Sequence, residues 1–151
     1  MFRLRRHSLD KKRLRNVLLV GSSDREDFLD YLDLTCVNNV DKAHNYRWKN
    51  RNIMNVPTSV IPRHEVTYST DIIIYFVNVA EKNNLNWLKY YFDTHLHVKH
   101  HIIVYSDFDE DFGKLKKSEF YKEANKYTDV MIFDSDYEEV ETFIRKLTKK
   151  V

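Results

Sequence analysis

Short apolar runs alternate along this chain with stretches whose apolar residues recur at helical spacing. Asn16 to Val20 (NVLLV) is apolar and β-branched and ends at Gly21, which reads as a strand buried on both faces. Ser23 and Glu26 have capping-box spacing, and Phe28, Leu29 and Leu32 supply one face of the helix that follows. Asp71 to Val79 (DIIIYFVNV) is the strongest strand signal, too uniformly apolar for an edge. Leu85, Leu88, Phe92 and Leu96 then form a helical stripe, and His101 to Tyr105 (HIIVY) is the next strand. A polar turn from Ser106 to Gly113 leads to a helix over Ser118 to Tyr127 with Phe120 and Ala124 inward. Val130 to Phe133 is a last short strand. From Glu138 to Lys149 the closing helix places Val140, Phe143, Ile144 and Leu147 at i, i+3, i+4 and i+7, with glutamates early and Arg145, Lys146 and Lys149 late, as the helix dipole favours.

Thr35 to Tyr68 lacks such a period. It is Asn-rich, carries Trp48, and sets Pro57 and Pro62 around the β-branched run Ser59 to Ile61, so it reads as loop with two irregular strands. The order β-α-(irregular)-β-α-β-α-β-α predicts a three-layer α/β domain with a mostly parallel sheet and helices on both faces. At 151 residues one such domain fits, spanning 16–151 behind a basic arm at 1–15.

Charge singles out that arm. The net charge is +2, yet Arg3, Arg5, Arg6, Lys11, Lys12, Arg13 and Arg15 stand against the single Asp10, a net of +6 that leaves −4 for the body. A basic arm on an acidic body suggests an electrostatic contact or an address label, against a plain solvated tail; a nucleic-acid contact is the alternative function, although the arm has neither interleaved aromatics nor a recognition motif. The single cysteine, Cys36, excludes an intrachain disulfide and implies an intracellular protein, with the thiol buried or inert. Ile72 to Val77, the longest apolar run, is too short to cross a membrane.

In a parallel α/β sheet, ligands gather at the carboxyl ends of the strands, so the loop after Val20 is the first place to look for chemistry. A phosphate-binding G-x-x-x-x-G-K-[ST] loop needs glycines for close amide approach, a lysine for the terminal phosphates and a hydroxyl for magnesium. Gly21 is present, but Glu26, Asp27 and Phe28 occupy the three other functional positions, and Asp24 adds an acid. With only Gly21 and Gly113 in the chain, the G-x-G-x-x-G dinucleotide fingerprint is absent too. His95, His97, His100 and His101 lack the spacing of a zinc site and read as a solvated turn, and Asp107, Asp109, Glu110 and Asp111 lack the calcium-loop pattern. No nucleophile and base pair is nominated by spacing, so neither enzyme nor cofactor is expected. On the helix after the central strand, Trp87, Tyr90, Tyr91 and Thr94 project away from the leucine stripe; this second face either packs on a neighbouring helix or is an exposed patch, in which case the three aromatics are the expected partner-binding anchors.

This layout resembles the small GTPase superfamily without a functional phosphate loop. Where that superfamily carries N-K-x-D for guanine, this chain has Ser106, Asp107, Phe108 and Asp109, with only the last residue matching. Leu9-Asp10-Lys11, Val17 to Gly21 with its acid-containing turn, Asp71 to Asn78, His101 to Tyr105 and the closing helix also resemble the centromere protein M family, GTPase-like subunits of the inner kinetochore that bind no nucleotide. That resemblance implies a nuclear, centromeric role in chromosome segregation. It also implies a helical-repeat partner like centromere protein I, alongside subunits like centromere proteins H and K.

Overall fold

The computed structural model describes residues 15–57, 60–78, 84–105, 109–127, 131–133 and 136–148. The elements, in chain order, are β1 (Asn16–Gly21), α1 (Asp24–Leu32), β2 (Cys36–Val40), β3 (Ala43–Trp48), β4 (Arg51–Asn55), α2 (His64–Thr67), β5 (Ile72–Val77), α3 (Asn84–Thr94), β6 (His100–Tyr105), α4 (Asp109–Lys117), α5 (Glu119–Tyr127), β7 (Met131–Phe133) and α6 (Tyr137–Leu147). They build one seven-stranded sheet in the order β2-β3-β4-β1-β5-β6-β7. From β4 to β7 every neighbour is parallel, whereas β2 and β3 join β4 as antiparallel hairpins.

Both faces of the parallel part are covered, which is why β5 could be apolar at every position: all six of its residues are buried. On one face Leu18, Val20, Ile73, Tyr75 and Ile103 meet Leu88, Tyr91 and Phe92 of α3, Leu115 of α4 and Phe120 and Ala124 of α5. On the other, Val17, Leu19, Ile72, Ile74 and Ile102 meet Phe28 and Leu29 of α1 and Val140 and Ile144 of α6. The three layers expected from the element order are present.

The structure corrects four local expectations. Residues 35–68 hold three strands and a short helix rather than loop with two irregular strands. Every residue of β2 is exposed, so backbone pairing holds this strand and no apolar alternation announces it. Residues 109–113 open α4 instead of completing a turn. Ser23 makes no capping hydrogen bond. On α3, Leu96 lies beyond the helix end and is 48% exposed, while Tyr91 takes a core position at 4%. At 100° per residue Tyr91 and His95 sit beside Leu88, so the buried stripe is rotated toward them and away from Leu96.

Candidate functional site

In this topology β1 lies between β4 and β5, with β2 to β4 on one side and β5 to β7 on the other, which makes the carboxyl end of β1 the expected ligand crevice. Only Ser22 and Ser23 separate β1 from α1. Gly21 has φ +109°, and a Cβ there would lie 2.2 Å from the Phe76 carbonyl oxygen, so this glycine serves close strand contact.

The amides at this bend are engaged inside the chain. Ser22 N donates to Phe76 O at 2.8 Å, Asp24 N to Ser22 Oγ at 3.4 Å, Arg25 N to Ser22 O at 3.2 Å and Glu26 N to Ser23 O at 2.9 Å. Such N–H groups are the ones a phosphate loop aims at its ligand.

Arg25 closes the crevice. It is 3% exposed, its Nε donates to Gly21 O at 3.1 Å, and its Nη1 donates to Asn55 Oδ1 at 2.6 Å and Glu26 Oε2 at 3.3 Å. Asn55 Nδ2 donates back to Glu26 Oε2 at 2.8 Å, closing a ring that ties α1 to β4. A buried guanidinium is stable only with its fork filled, and Gly21 O, Asn55 and Glu26 fill it. Neither Arg25 nor Asn55 stood out in the sequence. The available signal was a lone cation among three acids directly after a buried strand. The three acids expected to repel a triphosphate are present: Asp24, Glu26 and Asp27 all lie in the first turn of α1. They are near the start of α6, where Tyr137 Oη reaches Asp24 O at 3.5 Å. The Tyr137 phenol is pushed up to about 12 by burial and then by Asp24 and Asp27.

The partner anchors divide. Tyr90 is 41% exposed and Trp87 is half-buried, but Tyr91 faces the core and donates its hydroxyl to Val60 O, so it is a packing residue and not an anchor. The histidines are not a solvated turn. His95 is buried, with Nε2 2.8 Å from Thr67 Oγ1. His101 is buried between Tyr75 Oη at 2.7 Å and Val98 O at 3.0 Å, and burial chiefly lowers its pKa to about 4. His97 stacks on Tyr68 at the surface. Among the described residues no cluster fit to hold a metal ion is found. Cys36 is exposed on β2 rather than buried.

Of the basic residues, Arg15 is tied to the sheet: its N donates to Asp71 Oδ2 at 2.9 Å and its carbonyl accepts from Asn52 N at 2.8 Å. Arg3, Arg5, Arg6, Lys11, Lys12 and Arg13 lie outside the described residues, as do Ser106, Asp107 and Phe108 of the guanine-motif position.

No protein-family model and no curated protein matches the chain. Among solved structures, the GDP-bound crystal structure of T. brucei IFT22 is similar at a TM-score of 0.57 and 13% identity, covering 90% of this chain and 97% of that one. The FeoB G-domain from Methanococcus jannaschii gives a TM-score of 0.48 at 13% identity, with 90% and 98% covered. The chain thus has the three-layer α/β fold of small GTPases, with an arginine-sealed bend where that fold carries its phosphate loop.

Proposed function

We propose that this chain is a non-catalytic, pseudo-GTPase-like domain that takes up no nucleotide and works by binding a protein partner. The observation that carries the reading is the filled bend after β1: four amides engaged within the chain and a buried guanidinium hydrogen-bonded to Gly21 O. T. brucei IFT22 is GDP-bound in its crystal structure. Here a phosphate would have to displace Arg25, break the ring through Asn55 and Glu26, and approach Asp24 and Asp27. Like charges at contact distances oppose it by roughly 1 to 4 kcal/mol per pair.

The resemblance to the centromere protein M family supplies the finer proposal, a nuclear inner-kinetochore subunit docked on a helical-repeat protein like centromere protein I. On α3, Tyr90 and Trp87 remain suited as anchors, and Tyr68 and Leu96 add large exposed apolar side chains near the helix end. Titration calorimetry with magnesium GTP tests the first part, with no saturable heat expected and micromolar binding overturning it. Affinity purification followed by mass spectrometry tests the second, with recovery of inner-kinetochore subunits expected. The double variant Trp87→Ala/Tyr90→Ala should weaken capture of that partner at least about thirtyfold while the melting temperature holds.

A further inference from the structure

A second buried arginine lies at the opposite end of the strands. Arg51 opens β4, is 8% exposed, and lays its guanidinium over the Trp48 ring at 4.6 Å. Its Nε donates to Thr148 Oγ1 at 2.6 Å, and among the described residues its two terminal nitrogens have no hydrogen-bond or carboxylate partner. Among the described residues, Arg51, Thr142, Arg145 and Lys146 line a cavity of about 280 Å³.

The cations around it are held together by the fold. Asn16 and Asn52 are in register, and Asn52 N bonds Arg15 O, so Arg15 stands beside Arg51 on the same face of the sheet. Arg15 Nε is itself buried without a hydrogen-bond partner. The last turn of α6 brings Arg145 and Lys146, of which Arg145 meets only Glu141, at 3.8 Å, as an ion-pair partner among the described residues. Burial first and Arg145 second push the Arg51 pKa down, which marks a cation short of counter-charge. A stacked, planar fork whose outer N–H groups meet no acceptor among the described residues is shaped for a tetrahedral oxyanion, and Thr142 adds a hydroxyl to the lining.

We infer that this pocket seats a backbone phosphate of a nucleic acid, with Arg51 as the fork and Arg145 and Lys146 flanking it. A polymer is favoured over an isolated phosphate because the basic arm enters the fold at Arg15, beside the pocket. The sequence just before Arg15 carries Arg3, Arg5, Arg6, Lys11, Lys12 and Arg13, a cation count that suits a polyanion better than a single phosphate. The site is independent of the filled bend after β1.

The full chain is titrated into a fluorescein-labelled mixed-sequence DNA duplex, and anisotropy is read across a salt series. Arg145→Ala/Lys146→Ala should lower affinity at low salt at least about tenfold and reduce the salt slope by about two. Lys122→Ala/Lys126→Ala on α5 should leave both values unchanged. Arg51→Lys keeps the charge and loses the fork, so affinity should fall while the slope holds; should that variant fail to fold, the Arg145/Lys146 pair decides. Unchanged affinity and slope in that pair overturn the proposal. So does binding of phosphatidylserine vesicles without binding of the duplex, and so does displacement of the duplex by polyglutamate at equal charge concentration.

Discussion

The two ends of the parallel strands each bury an arginine, and the two arginines mean different things. At the carboxyl end Arg25 fills its fork with a carbonyl, an amide and a carboxylate of its own chain. At the amino end, among the described residues, Arg51 has one hydroxyl and an aromatic ring, with Arg145 close enough to oppose it. The surroundings follow suit: Asp24, Glu26, Asp27, Glu138 and Glu139 gather at the first end, and Arg15, Arg145 and Lys146 at the second. Helices α1 and α6 run against the strands, so their acidic first turns and the basic last turn of α6 sort charge to opposite ends. Burial alone therefore does not tell a structural arginine from a ligand-seeking one. The count of acceptors around the guanidinium does.

The largest effect should come from the backbone beneath Arg25. Gly21→Val puts a branched Cβ against the Phe76 carbonyl at a φ that side chains rarely adopt, so stability should fall by more than about 4 kcal/mol in urea titration. Next comes the contrast between the arginines themselves. Arg25→Met removes the donor to Gly21 O and Asn55 Oδ1 and should cost about 3 kcal/mol, without conferring nucleotide binding, because the bend stays two residues long. Arg51→Met removes a cation that meets no carboxylate among the described residues and should change stability by less than about 1 kcal/mol. Equal losses in the two variants would break the comparison.

A titration in the core sharpens it further. His101 has a folded pKa of about 4, below its ordinary value, so the fold holds it neutral while the unfolded chain takes up the proton. Its stabilising effect is complete above about pH 6.5 and is lost as pH falls toward 4, at roughly 1.4 kcal/mol per unit. Between about pH 6.5 and 5, before carboxylates titrate, stability should drop by about 2 kcal/mol, and His101→Gln should flatten that slope. The smallest difference separates two neighbouring tyrosines. Tyr91→Phe should cost about 1 kcal/mol through its lost bond to Val60 O, and the exposed Tyr90→Phe should cost close to nothing, both read from thermal melts.

Elements that bury a regular face were legible from the chain alone. Strands β1, β5, β6 and β7 and the faces of α1, α5 and α6 follow from uniform or 3.6-period apolar runs, because each is paid in the same coin, removal of side chains from water. The hairpin strands were read only as loop with two irregular strands, since β2 buries nothing and β3 buries only its end residues, Ala43 and Trp48. The stripe on α3 was misplaced by one step around the helix. Tyr91 and His95 count as polar-tipped in a sequence, and they become core residues because Val60 O and Thr67 Oγ1 satisfy those tips across the fold.

By itself the sequence determined the layered fold and the absence of the lysine, second glycine and hydroxyl of a phosphate loop, since both reside in residue types at short spacing. Only the tertiary structure decided what each cation meets. Arg25 finds Asn55, 30 residues away, and becomes internal structure. Arg51 finds Thr148, 97 residues away, with Arg145 and Lys146 lining the same cavity, and meets no carboxylate among the described residues. Hydrogen bonds and Coulomb forces act over a few ångströms, so an arginine's role is set by neighbours that folding brings within that range.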